Sequence, residues 1–327
     1  VSTNEAILDG RRAYLWAEVM LLLVALVWGA SYGLAKTAVL FYPVLGFLAV
    51  RFCITSALLQ PAWRGLTRHR RVAVLKAGVP LGLILLSIFV SETYGLSLTR
   101  ASNAAFLISM CVVFTPFVEW IVLGFRPSIA GFVAAGVSLV GAWLLTSGAT
   151  LSLNGGDALI LAAAVLRAMM VTFTNKLTRG RDIPAFPLTG VQTGVVGLGC
   201  VILGIAVLPG GLPELPHAPL FWSSTGFLVV FCTLFAFFAQ NYALRRTSPT
   251  RVSLLMGMEP VFGALFAVYW LHETLSARAW LGGVLIMSAS VWAALRRSSS
   301  MPEIKRMVQK NKRTVPSSLT DTGLGDR

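Results

Sequence analysis

The sequence predicts an all-α integral membrane protein whose ten transmembrane helices form a 5+5 inverted repeat. Three observations carry that reading. Hydrophobic residues make up 56% of the 327-residue chain and charged residues only 12%, where a soluble domain carries about 25%. Apolar stretches recur at a length of about 20 residues, which is a bilayer's thickness in helical rise. The third observation is a repetition. Tyr94-Gly95-Leu96-Ser97-Leu98-Thr99 returns as Tyr242-Ala243-Leu244-Arg245-Arg246-Thr247. Each copy is followed by an apolar run with one proline, Pro116 or Pro260, and then by a segment with spaced small residues: Gly131, Gly136 and Gly141, or Gly282, Gly283 and Ser288. The period, roughly 150 residues, is too long for a solenoid unit of about 20–50 residues.

Taken in order, the candidate spans fall near residues 15–37, 44–62, 77–97, 102–124, 128–147, 157–177, 185–208, 220–244, 251–271 and 276–295. Turn chemistry separates them: Phe41-Tyr42-Pro43, Arg126-Pro127, Asn154-Gly155-Gly156, Ile183-Pro184, Pro209-Gly210-Gly211 and Ser248-Pro249. The polar break Thr99-Arg100-Ala101-Ser102-Asn103 divides the third span from the fourth. The first stretch, Leu15 to Ala35, is long enough to cross and lacks an A-x-A-like exit, so a retained span is expected in place of a cleaved leader. The expected organisation is a cytoplasmic segment 1–14, a first repeat 15–147, a linker 148–156, a second repeat 157–296 and a basic, disordered tail 297–327.

Basic residues orient the spans. Arg11 and Arg12 precede the first; Arg64, Arg68, Arg70, Arg71 and Lys76 follow the second. Arg126, Arg179, Arg181, Arg245, Arg246 and Arg251 lie in later loops on the same side, as do Arg296, Arg297 and the tail. The opposite loops offer little beyond Arg100 and Arg278. The positive-inside rule therefore places both termini in the cytoplasm. The net charge of +14 then reflects topology and contact with membrane lipid, and nucleic acid is not an expected partner. An odd number of spans per half makes the second repeat enter upside down. Inverted repeats of this size belong to alternating-access transporters.

Cys53, Cys111, Cys200 and Cys232 lie far apart in apolar stretches and read as small buried hydrophobes. His69, His217 and His272 lack ligand spacing, so no metal is expected. No other cofactor is expected either.

Several short motifs now resemble a known family. Trp28-Gly29-Ala30-Ser31, Arg51-Phe52, Ser102-Asn103-Ala104-Ala105-Phe106, Glu259-Pro260 and His272-Glu273-Thr274-Leu275-Ser276 resemble the drug/metabolite transporter superfamily. The similarity is closest to its bacterial ten-span EamA-type exporters and covers roughly residues 15–296. The resemblance implies a multi-pass protein of the bacterial inner membrane that exports small metabolites, often amino acids or their relatives. Two positions depart from the family pattern. Arg167 stands where the second repeat usually has an aromatic, at the place matching Trp28, and Gly124-Phe125-Arg126-Pro127 lacks an acidic residue.

Ionisable residues inside spans narrow the search for a site, since a charge at the bilayer centre costs about 2.5–3.5 kcal/mol or more. Arg167 falls near the middle of the sixth span, at the depth of Trp28 in the first, with Tyr32 one turn along the same face. A midplane cation beside aromatics suits a substrate carboxylate; a structural ion pair is the alternative. Glu92 and Gln240 each stand two residues before the duplicated tyrosine. Glu92 is the proton-coupling candidate, or else one half of a fixed pair with Arg51 or Arg100. The expected substrate site is Trp28, Tyr32, Glu92, Arg167, Gln240 and Asn241. Glu119 and Glu259 are expected to pair with the basic loops. With Arg51, Pro116 and Pro260, they are the structural or gating candidates.

The leading expectation is a secondary transporter that exports a small amino-acid-like metabolite by alternating access. A flippase for lipids or lipid-linked sugars of the same superfamily is the second reading. A membrane-embedded enzyme is the most distant, because surface clusters of His, Asp or Cys are missing.

Overall fold

The computed structural model describes residues 3–99, 104, 107–124, 129–145, 154–271 and 276–296. Among these residues there are helices and turns and no strand. The helices are α1 (Thr3–Phe41), α2 (Val44–Leu58), α3 (Arg68–Leu98), α4 (Cys111–Leu123), α5 (Ile129–Leu145), α6 (Gly155–Thr178), α7 (Ala185–Val207), α8 (Pro219–Leu244), α9 (Pro249–Met256), α10 (Glu259–Leu271) and α11 (Ala277–Arg296). Arg100, Ser102, Asn103, Arg126, His272, Glu273 and the tail from 297 lie outside the described residues, and so does the side chain of Tyr32.

Five segments are long and apolar enough to cross a bilayer alone: Tyr14–Ser31, Arg68–Leu98, Gly155–Thr178, Ala185–Val207 and Pro219–Leu244. Leu107–Leu123, Ile129–Leu144 and Ala277–Ala289 are apolar but shorter. The ninth expected span is two helices. Pro260 has no N–H to return to the preceding turn, and the helix ends at Met256 and restarts at Glu259.

Local chemistry sets the ends. Asn154 and Asp157 form a reciprocal capping box at the start of α6, with Asp157 N donating to Asn154 Oδ1 at 2.9 Å and Asn154 N to Asp157 Oδ2 at 3.1 Å. Thr99 Oγ1 donates to Asp157 Oδ1 at 2.5 Å and ties the end of α3 to that start. Ser248 caps α9 with Pro249 just inside it.

The main helix pairings interchange when the halves are exchanged, although α3 packs on α7 more extensively than α8 does on α2. α3 lies along α6 and α8 along α1; α4 packs on α6 and α9–α10 on α1; α2 meets α7 and α5 meets α11. Swapping α1 with α6, α2 with α7, α3 with α8, α4 with α9–α10 and α5 with α11 turns each pairing into another of the set. Close approach relies on small residues. Val191 and Val195 fill the space over Gly78 and Gly82, and a Cβ on Gly141 would stand 2.7 Å from Gly282 O. Gly136 has nothing within 4 Å of such a Cβ, so it is not a contact point of the kind its spacing suggests.

The bundle has a basic end. Arg251 of α9 pairs there with Glu18 of α1, Arg245 Nη1 donates to Ile183 O at 2.5 Å, and Lys176 Nζ donates to Val122 O at 3.2 Å. Outward surfaces are apolar, with Ile121 and Ile129 each 82% exposed, while Thr172, Thr189, Gln192 and Thr193 are wholly buried. That inside-out distribution suits lipid and would be an aggregation surface in water. Cys200 and Cys232 are buried as expected, but Cys53 is exposed.

Candidate functional site

Arg167 is the centre of the bundle's charged cluster. Its Nη2 lies 3.2 Å from Glu92 Oε1 on α3, and its Nη1 lies 3.5 Å from Glu259 Oε2, the first residue of α10. The guanidinium also stands over the Trp28 ring, 5.0 Å from its centroid. One carboxylate therefore comes from each half of the chain. A buried ion must be matched by opposite charge and hydrogen bonds, because desolvation costs several kcal/mol per ion. Removing one partner leaves the other uncompensated.

Backbone proximity makes this cluster possible. A Cβ on Gly29 would stand 2.7 Å from both Glu259 O and Gly263 N. Only glycine lets α1 lie against the start of α10, which sets Trp28 and Glu259 on either side of Arg167. The opposite edge of Trp28 is fixed by α8. Residues Leu228–Phe235 of that helix form a π-helical stretch, and Trp28 Nε1 donates to the Cys232 carbonyl there at 2.9 Å. Wide turns of this kind recur at functional sites. Thr233 Oγ1 donates to Leu228 O, five residues back, at 2.9 Å and accepts from Arg51 Nε at 2.9 Å. The Arg51 guanidinium lies over the rings of Phe52 and Phe89, 5.2 and 5.3 Å from their centroids.

Two cavities meet at the cluster. The first encloses about 640 Å³, counting solvent at its mouth, and is walled by apolar side chains such as Leu85, Met170 and Phe237. It reaches toward the basic end, past Gln240, Ser253 and Met256. The second, about 540 Å³ on the same measure, runs the other way between Ser31, Arg51, Glu92, Thr93 and Leu96. Trp28, Phe89, Arg167 and Glu259 line both, so they form the partition between them.

The structure brings Trp28, Glu92 and Arg167 together and sets Gln240 on the first cavity, where its Nε2 lies 3.7 Å from Met256 Sδ. Asn241 is elsewhere. Its Nδ2 donates to Thr189 Oγ1 and Gln192 Oε1 on α7, both at 2.9 Å, because one residue along a helix turns a side chain by about 100°. Among the described residues Glu259 is placed on Arg167 and not on a basic loop, because the break before α10 aims it there. Nor is Glu119 placed on one. Its Oε2 accepts from Thr250 N at 3.1 Å and from Thr250 Oγ1, so it neutralises the exposed N–H groups and positive dipole end of α9. Pro116 lies within the continuous helix α4, whereas Pro260 follows a break in the ninth span.

Sequence reasoning passed over Glu18, Thr233 and the π-helical stretch. The signal for Glu18 was available, as a carboxylate inside the first span and level with the start of α9. Nothing in the sequence Leu228-Val229-Val230-Phe231-Cys232-Thr233 marks a widened helix.

An all-helical membrane bundle of two exchangeable halves, with a charged cluster enclosed between two cavities, is the architecture of a membrane transporter. The chain belongs to the EamA-like transporter family, which matches it twice, over residues 15–147 and 154–295. Among its relatives, an "Uncharacterized transporter" of Archaeoglobus fulgidus is 26% identical over 303 residues, covering 86% of this chain and 87% of the relative. The "Uncharacterized inner membrane transporter YedA" of Escherichia coli (strain K12) is 25% identical over 283 residues, covering 83% of this chain and 88% of that protein. A solved crystal structure shares the fold at TM-score 0.69 and 18% identity, covering 87% of this chain and 98% of the other.

Proposed function

We propose that this transporter exports small zwitterionic metabolites, amino acids or close relatives, across a bacterial inner membrane by alternating access, with both termini cytoplasmic. The supporting observation is the Arg167 cluster, with one carboxylate from each half and a cavity on either side. A zwitterion is the ligand that can enter such a cluster without leaving a buried charge unmatched. Its carboxylate takes up guanidinium contacts while its ammonium takes up the carboxylate released. An ion carrying one charge alone would leave one of the cluster's groups unpaired.

The cluster lies where the halves meet, as alternating access requires: rocking one half against the other exposes it to each cavity in turn. Glu92 is the proton carrier in this reading, because it shares Arg167 with Glu259 and can be neutralised while Arg167 keeps a counter-ion. The sequence has no phosphate-binding loop of the G-x-x-x-x-G-K-[ST] type. In this reading a gradient, substrate exchange or the substrate's own concentration supplies the driving force.

Counterflow in proteoliposomes with a panel of amino acids, organic anions and organic cations, with and without a pH gradient, tests the proposal. Exchange confined to zwitterions is expected, and Glu92→Gln should remove the response to the pH gradient. Movement of organic cations or anions alone would overturn it.

A further inference from the structure

Arg167 has a carboxylate on either side, but a second guanidinium in the same site has none. Arg51 is only 6% exposed. Among the described residues, no carboxylate oxygen lies in ion-pair contact with it. Its one hydrogen bond runs from Nε to Thr233 Oγ1, so both terminal nitrogens are left without a protein acceptor. Neither terminal nitrogen is sealed off inside the protein, so both stay open to a ligand in the cavity that Arg51 lines. Its faces are covered by Phe52 and Phe89, and the side chain lines the second cavity. Across that cavity, Glu92 has Oε1 on Arg167 while Oε2 is buried without a partner. The remaining walls are largely apolar, among them Trp28, Phe47, Phe89 and Leu96.

We infer that the second cavity is an α-amino acid site, in which Arg51 receives the carboxylate, Glu92 receives the ammonium, and the apolar walls select an apolar side chain. The inference rests on the zwitterion reading above and makes it specific. Arg51 presents two donors in the planar fork that matches a carboxylate, and Thr233, held by the π-helical stretch of α8, fixes the plane of that fork. Arg167, which lines the same cavity, holds Glu92 until the ammonium takes it up and then shares the substrate carboxylate with Arg51.

The test is ligand-dependent thermal stabilisation of the detergent-solubilised full chain. The probes are L-leucine, its decarboxylated amine 3-methylbutan-1-amine and its deaminated acid 4-methylpentanoate. Wild type should respond to all three, and most to L-leucine. Arg51→Gln should weaken the response to L-leucine and 4-methylpentanoate by about ten- to a hundredfold in apparent affinity while sparing the amine. Glu92→Gln should show the reverse pattern. Thr233→Val, which keeps both charges, should weaken the acid-bearing ligands by a smaller factor, and it serves if Arg51→Gln does not fold. L-leucine affinity unchanged in Arg51→Gln, or in Thr233→Val and Arg51→Lys where the first fails to fold, would overturn the inference and leave the transport reading standing. So would a wild type that ignores L-leucine while the counterflow panel moves polar amino acids. A panel in which no zwitterion moves would instead overturn the transport reading itself.

Discussion

Glu92 Oε1 and Arg167 Nη2 lie 3.2 Å apart and join α3 to α6 in the interior of the bundle. The contact crosses between the halves of the chain, since α3 belongs to the first and α6 to the second. With Glu259 on the other nitrogen, the guanidinium binds together α3, α6 and α10.

Gly29→Ala should destabilise the protein strongly, while Gly33→Ala one turn away should not. A Cβ on Gly29 meets backbone atoms of Glu259 and Gly263 at 2.7 Å, and backbone cannot turn aside as a side chain can. A Cβ on Gly33 meets nothing within 4 Å. Melting temperatures of the two variants in detergent, together with transport, provide the comparison. Overpacking of this kind costs about 1–3 kcal/mol.

Trp28→Phe keeps an aromatic face under Arg167 but removes the indole donor. The Cys232 carbonyl then loses a buried hydrogen bond, with an expected loss of about 1–3 kcal/mol. Thermal unfolding measures it. A stability equal to wild type would mean that the π-helical stretch satisfies that carbonyl in another way.

Glu18→Ala should be more damaging than Glu18→Ala combined with Arg251→Ala. The pair is largely buried, Arg251 also lies 4.9 Å from the centre of the Tyr14 ring, and removing one partner of such a pair costs about 3–5 kcal/mol. A double-mutant cycle read by thermal unfolding gives the coupling between α1 and α9.

Much of this was legible in the sequence, and the limits have physical reasons. The depth of Arg167 and Trp28 follows from counting along a helix, because rise per residue is constant. Their meeting with Glu92 does not follow, because depth does not say which helices are neighbours. Gln240 and Asn241 show the same limit at finer scale: both are polar and adjacent, and only the packing of α8 on α7 decides that one faces the cavity and the other Thr189. Glu259 was misjudged because its span is not one helix. Arg51 was noticed for its motif, yet its unfilled nitrogens emerge only once Thr233 and the two phenylalanine rings surround it.

The central claim is that the Arg167 cluster is where substrate and protein charges are exchanged. Counterflow by Arg167→Ala in proteoliposomes tests it most directly, with monodisperse elution and a cooperative melt as proof of folding. The prediction is a folded protein whose amino acid exchange is lowered by at least about a hundredfold, the value of losing more than one charged contact. Exchange at the wild-type rate by that folded variant would contradict the account.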